Sequence, residues 1–288
     1  MTTAGWELSY DVTAFQRQAA AYLESHPARC TALLTTAENL RVHGPRSYGG
    51  GDPRFGWWRA TDGGPVEAAF VYTPPSPPLL GPMPDRAARE LAVALRLTGA
   101  DLTGVKGVDG SAQAFAETWT DDAPRTWAVA FRLRLLRLAE LAPPRPAPPG
   151  TGRRATPGDV PMAAAWMRAF IADTGQETGP DTDFTAHVTR RIANGGLYLW
   201  EADGRPVSMA AHSLVVAGQS RVGPVYTPRE CRGRGYGAAA TAAATRSALT
   251  AGARQVLLFA DAANPTSNAL YERLGYRLLG HHVDIDFA

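Results

Sequence analysis

The most chemically pointed run in this 288-residue chain is Arg232-Gly233-Arg234-Gly235-Tyr236-Gly237, set between a strand-like stretch and an alanine-rich one. Glycines at this density let a backbone approach a ligand closely and aim several N–H groups the same way. A helix opening at about Gly235 would add unpaired N–H groups and the positive end of its dipole. The chemistry on offer is the binding of a pyrophosphate. Arg229, Arg232 and Arg234 could add side-chain cations, although arginines beside a glycine loop are common on any surface.

Some thirty residues on comes a second run, Asn264-Pro265-Thr266-Ser267-Asn268-Ala269-Leu270-Tyr271-Glu272-Arg273-Leu274-Gly275-Tyr276. The two runs at this spacing resemble the GNAT superfamily of acyl-CoA-dependent N-acyltransferases. The first is similar to its Arg/Gln-x-x-Gly-x-Gly/Ala loop and the second to its Asn-to-Tyr helix ending in Gly-Tyr, with Ser267 where the family carries Ala. The likeness covers roughly residues 152–288. It implies acetyl-CoA, or another acyl-CoA, as co-substrate and no metal. It also implies that the backbone from Arg232 through Gly233, Arg234, Gly235, Tyr236 and Gly237 to Ala238 cradles the pyrophosphate. The strand ending at Val225-Tyr226-Thr227 should splay from the strand ending at Phe259. The pantetheine arm then lies in the gap, against the backbone edges of Val225 and Thr227 and beside Asn264. Tyr271 matches the tyrosine whose hydroxyl faces the thioester sulfur. When an amine attacks the acyl carbon, a phenol there can protonate the departing thiolate, worth ~10²-fold or more. An N–H near Val225 can meet the oxyanion.

The general base is less defined. Many relatives carry a glutamate on the strand before the loop, and 221–227 has none. Asp261, His212, Glu177 and His282 are the candidates, acting directly or through water. Asp261 is assigned with Tyr271 to catalysis because it sits just beyond a strand end. An Asp before Ala-Ala-Asn-Pro also suits a turn or a helix entry.

The elements that must position these residues read as follows. In the second half a strand near 153–155 leads to a helix started by Asp159, then to a helix over 184–193 stopped by Asn194-Gly195-Gly196. Strands follow at 197–201, 206–216 and 221–227, with a hairpin turn at Asp203-Gly204. Next come a helix over 235–250, a strand at 255–259, a helix over 267–274 and a strand pair within 276–287. The first half repeats the order: helices at 12–23 and 29–42, strands at 55–60, 66–72 and 79–81, a helix over 85–97, a strand at 102–106, a helix at 111–119 and a strand at 127–135. The expected fold is α/β, more closely α+β and GNAT-like, in two lobes that each hold a mixed, mostly antiparallel sheet flanked by helices. A proline-rich spacer at 142–152 divides a first lobe (1–141) from a catalytic domain (153–288). The first lobe's counterpart of the phosphate loop, Leu79-Leu80-Gly81-Pro82-Met83-Pro84, has prolines that delete N–H donors, so that lobe reads as degenerate and without cofactor. Its Trp57, Trp58, Phe70 and Tyr72 fit ordinary core packing better than a pocket wall.

Composition narrows the class. A formal net charge of +2 lacks the basic excess of a nucleic-acid-binding protein, and Lys106 is the only lysine. Cys30 and Cys231 form no CxxC pair, which speaks against a disulfide scaffold or structural zinc. No apolar run approaches the ~20 residues of a membrane span, and the N-terminus does not read as a signal peptide, so a cytoplasmic monomer or homodimer is expected. The expected partner is a small-molecule amine; a peptide acceptor and a non-catalytic acyl-CoA sensor are the alternatives. A dinucleotide fingerprint, Gly233-x-Gly235-x-x-Ala238, would need several βα units after it, and only about fifty residues follow. A P-loop fails for want of Gly-Lys-Ser/Thr.

Overall fold

The computed structural model describes residues 3–121, 124–175 and 183–288. They gather into two compact units. The first holds the chain up to Leu135 with Asp261–Ala263 and Gly280–Ala288; the second holds Leu136–Ala260 and Asn264–Leu279.

The first unit opens with β1 (Gly5–Ser9), followed by α1 (Val12–Gln18), α2 (Ala20–Ser25) and α3 (Thr31–His43). Strands β2 (Arg54–Arg59), β3 (Ala68–Tyr72) and the two-residue β4 (Leu79–Leu80) continue it. Then come α4 (Asp85–Leu97), β5 (Gly104–Val108), α5 (Asp109–Thr120) and β6 (Trp127–Leu138). β1 to β4 pair antiparallel in turn, β4 pairs parallel with β5, and β5 pairs antiparallel with residues 282–286 near the C-terminus. Helix α4 buries Ala88, Leu91, Ala92 and Leu95, spaced three and four apart, on a core with Phe70, Phe115 and Trp119. Burying each large side chain contributes about 1.5–3 kcal/mol.

The second unit runs β7 (Thr151–Arg154), α6 (Val160–Thr174), α7 (Phe184–Ala193), β8 (Leu197–Ala202), β9 (Arg205–His212) and β10 (Gln219–Tyr226). It continues with α8 (Tyr236–Thr250), β11 (Gln255–Asp261), α9 (Pro265–Arg273) and β12 (Tyr276–Phe287), the last ending in the first unit. Again an antiparallel series, β7 to β10, ends in one parallel pair, β10 with β11. Alanines set the distance between helix and sheet: Ala240 and Ala244 of α8 pack on Ala210 of β9. The two units thus share one element order, apart from three helices (α1 to α3) in the first where the second has two (α6 and α7), and each has the α+β arrangement expected.

Several boundaries differ from the sequence reading. The N-terminal strand β1 was not expected, and it completes the correspondence between the units. The expected helix over 12–23 is two helices that meet at Ala19. The strand expected to reach Val216 stops at His212; Val216 makes only an isolated bridge with Gln219, across a turn in which Ala217 and Gly218 have positive φ. The expected terminal strand pair is one twelve-residue strand, since Gly280 lacks the positive φ of a turn. Nor do the compact units part at the proline stretch. Residues 142–152 lie within the second unit, whose chain begins at Leu136.

Candidate active site

Strands β10 and β11 are in register at Gln219–Gln255, Ser220–Val256 and Arg221–Leu257, and no pairing continues beyond Arg221 although both strands run on. They part here because β10 carries an irregularity between Val222 and Val225, where Gly223 has φ +145°. Arg191 of α7 holds this bulge: its Nη1 donates to the Gly223 carbonyl at 2.7 Å, and its Nε donates to His187 Nε2 at 2.9 Å. Burial, with Arg191 and Arg190 adding to it, pushes His187 down to about 3, so its ring is neutral and accepts. Past the bulge, Val225 and Tyr226 pair with Ala210 and Met209. The Tyr226 carbonyl accepts from Ser208 Oγ at 3.0 Å, and Thr227 Oγ1 shares a hydrogen bond with that hydroxyl at 2.9 Å.

The glycine loop leads from there into α8. Gly233 and Gly235 sit at φ +76° and +81°, where a side chain would be strained. Gly235 caps α8 with no side chain to satisfy the helix, and the first turn carries no acid. By contrast α1, α7 and α9 are capped by Asp11, Asp183 and Asn264. The N–H groups from Gly233 to Ala238 have no acceptor among the described residues; the first bonded donor is Ala239, to the Gly235 carbonyl at 3.1 Å. The loop is exposed, so water satisfies these donors and an anion can replace it. At Gly237 a Cβ would come within 3.2 Å of Thr227 Oγ1, which keeps α8 close to the end of β10.

The arginines divide. Arg229 and Arg232 both pair with Asp173 of α6, at 2.8 and 2.5 Å, and hold its carboxyl below the usual range. Arg232 also donates from Nε to the Thr227 carbonyl at 2.9 Å and lies over the Tyr226 ring. Arg234 has no such partner among the described residues.

Helix α9 begins where Asn264 Oδ1 accepts from Ser267 N–H at 3.0 Å, so this asparagine is a helix cap with its amide nitrogen left for other contacts. Ser267, the departure from the family pattern, adds a hydrogen bond to the Asn264 carbonyl at 3.1 Å. Tyr271 packs edge-on against Tyr276 with centroids 6.2 Å apart, and the Tyr276 hydroxyl is bonded to Thr245 Oγ1 of α8 at 2.7 Å. The Tyr271 hydroxyl makes no hydrogen bond among the described residues. Burial raises it to about 12, so at neutral pH it holds its proton.

The base candidates separate as well. His212 is buried with Nδ1 on the Ser213 carbonyl at 2.9 Å and Nε2 on Ser247 Oγ at 3.1 Å, and burial lowers its pKa. Both nitrogens are engaged, so it is a structural residue. His282 is buried on β12 opposite Val108. Asp261 Oδ1 accepts from Ala263 N–H at 2.9 Å, closing a turn. Glu177 lies outside the described residues. In the first unit, the counterpart of the phosphate loop is filled: a Cβ on Gly81 would lie 2.5 Å from the Tyr22 hydroxyl, which donates to the Pro82 carbonyl. Ser111 Oγ donates to the Met83 carbonyl at 3.0 Å, and Trp57, Trp58, Phe70 and Tyr72 are buried in the unit's core.

Sequence reasoning missed the Arg191–His187 clamp and the tie from Asp173 to Arg229 and Arg232. A signal for the first was present, since residues four apart share a helix face. Nothing local tied Asp173 to residues nearly sixty positions away.

A donor-rich loop after the strand β10, where it parts from β11, followed by a helix that presents a protonated phenol, can hold an anion and supply a proton. Residues 163–276 match the family model of the acetyltransferase (GNAT) family, so this stretch of the second unit carries a GNAT acetyltransferase domain. No curated protein sequence matches it significantly. Solved structures share its fold over nearly its whole length. A GNAT-family acetyltransferase from Colwellia psychrerythraea is 11% identical with a TM-score of 0.60, over 98% of each chain. A GCN5-related N-acetyltransferase from Sphaerobacter thermophilus is 17% identical with a TM-score of 0.61, over 100% of this chain and 96% of the other. A Drosophila protein is 13% identical with a TM-score of 0.67, over 98% of each chain. Among the described residues no cluster of three or more His, Cys, Asp or Glu is gathered as a metal site, and no helix is long and apolar enough to cross a membrane.

Proposed function

We propose that the second unit transfers an acetyl or other acyl group from its CoA thioester to a primary amine of a small molecule, by direct attack in a ternary complex. The observation that carries this reading is the run of six N–H groups from Gly233 to Ala238 without an intramolecular acceptor, on an uncapped helix start. A pyrophosphate satisfies such donors and gains from the helix dipole. The backbone of Val225, Tyr226 and Thr227 lines the parting strands for the pantetheine arm, with the Asn264 amide beside it. Tyr271 gives its proton to the sulfur as the C–S bond breaks. The proton lost by the attacking amine passes to water. The first unit, with its loop filled by Tyr22 and interrupted by Pro82 and Pro84, offers no comparable donor-rich loop among the described residues.

Acetyl-CoA and a panel of small amines, peptides and polyamines, followed by free-thiol release and product mass, tests the reading. A small amine gaining one acetyl group with equimolar thiol is expected. Acetylation confined to peptide termini would move the acceptor class. CoA binding without thiol release from any amine would leave a binding module in place of an enzyme.

A further inference from the structure

A cavity of about 880 Å³ lies in the second unit between the proline-rich residues 139–146 and α9. That volume falls within the ~300–1,000 Å³ of small-ligand pockets. The proline segment is pinned at one end, where Ala139 N–H donates to the Gly275 carbonyl and Ala142 N–H to the Leu274 carbonyl, each at 3.0 Å. Gly275 makes that approach possible: with φ +96°, a Cβ there would lie 1.8 Å from the Glu140 carbonyl oxygen. Beyond Ala142 the chain reads Pro-Pro-Arg-Pro, and three of these four residues have no N–H with which to pair. Residues 139–146 form one wall of the cavity.

The walls are cationic. Arg145, Arg273 and Arg277 line the cavity against a single carboxylate, Glu140. Arg277 is occupied, donating from Nη1 to the Glu272 and Tyr276 carbonyls at 2.9 Å each. Arg145 and Arg273 have no hydrogen-bond or ion-pair partner among the described residues. Leu270 and Leu274 supply an apolar side, and Ala238 joins the cavity to the first turn of α8, at the end of the donor-rich loop.

We propose that this cavity receives the 3′-phosphorylated adenosine of CoA, with Arg145 and Arg273 gripping the 3′-phosphate. The inference rests on the acyl-CoA reading above and extends it to residues 139–146 and Arg277, which lie outside the matched family region. The chemistry fits on three counts. A ligand whose pyrophosphate sits on the loop continues past Ala238 into this space. A purine suits the leucines and can stack on a guanidinium plane. Guanidinium forks bind phosphate oxygens through paired hydrogen bonds. The proline stretch is therefore part of the donor site as well as a connection.

The test compares CoA with 3′-dephospho-CoA by calorimetry on the full chain and on Arg145→Gln, Arg273→Gln and the double variant. Wild type should prefer CoA by about 10- to 100-fold, as expected for loss of charge-assisted bonds. Each single variant should weaken CoA by about three- to tenfold while dephospho-CoA stays within about twofold, and the double variant should bind the two equally. Equal affinities in wild type, or variants that weaken both ligands alike, would overturn the cavity assignment and leave the acyl-CoA reading standing. If neither compound binds, both readings fall.

Discussion

Tyr271 is oriented by its edge-on contact with Tyr276, which a hydrogen bond to Thr245 fixes in turn. Its phenol holds a proton throughout the usual assay range, because burial raises it to about 12. Tyr271→Phe should lower kcat by about 10- to 1,000-fold, the smaller value reflecting that a thiol of pKa near ~8.5 leaves without full protonation. The acetyl-CoA dissociation constant should change little, since the ring remains and one hydroxyl is lost. Deprotonation of this phenol would end its role as a proton donor only near pH 12, so it adds no alkaline limb below about pH 10.5. A wild-type rate in Tyr271→Phe under chemistry-limited conditions, or a limb near pH 9 that this change abolishes, would remove Tyr271 from the proton path. The position was legible from the Asn-to-Tyr spacing. The raised pKa was not, because it depends on packing between residues brought together by the fold.

At the scale of elements, the bulge of β10 beside its parting from β11 is held by a helix that lies outside both motifs in sequence. Arg191 bridges His187 and the Gly223 carbonyl with two different nitrogens, a geometry a lysine cannot reproduce. Arg191→Lys and Arg191→Met should therefore both lower kcat, by about tenfold, through a misplaced oxyanion donor near Val225. Steady-state kinetics that moved only KM for the amine would contradict this. His187 also gives the fold an acid sensitivity. Its folded pKa lies below the unfolded value of ~6.5, so the neutral ring's contribution is present above that pH and is lost as pH falls toward 3. At pH 5 the loss from His187 is at most about 2 kcal/mol, and His212, whose pKa is also lowered, acts in the same direction. His187→Gln should flatten the fall in melting temperature between pH 6.5 and 5; an unchanged slope would assign that sensitivity elsewhere. Helices with periodic apolar faces, such as α4, were readable from sequence to the residue. The bulge was not, since Gly223-Pro224 reads locally as a strand with a proline and only the Arg191 contact gives it a purpose.

At the scale of the whole molecule, the shared element order of the two units was visible in the sequence once turns and helix stops were aligned. The division into compact units was not, because it depends on which strands pair. Residues 282–286 pair with β5 of the first unit, and 136–149 belong to the second. A fragment of residues 150–288 therefore lacks part of its own unit and carries a strand stripped of its neighbour. It should aggregate, or melt at least about 10 °C below the full chain. A fragment as stable as the full chain would show the second unit to be self-sufficient. Among the described residues the open, donor-rich loop lies in the second unit, and the most direct measurement is a calorimetric titration of the full chain with acetyl-CoA beside Gly235→Val. A side chain at φ +81° strains the loop and disturbs the N–H groups that would hold the pyrophosphate. One site per chain in the wild type, lost in Gly235→Val with the melting temperature little changed, is the expected result. Two sites per chain, or one site that survives Gly235→Val at wild-type affinity, would contradict it.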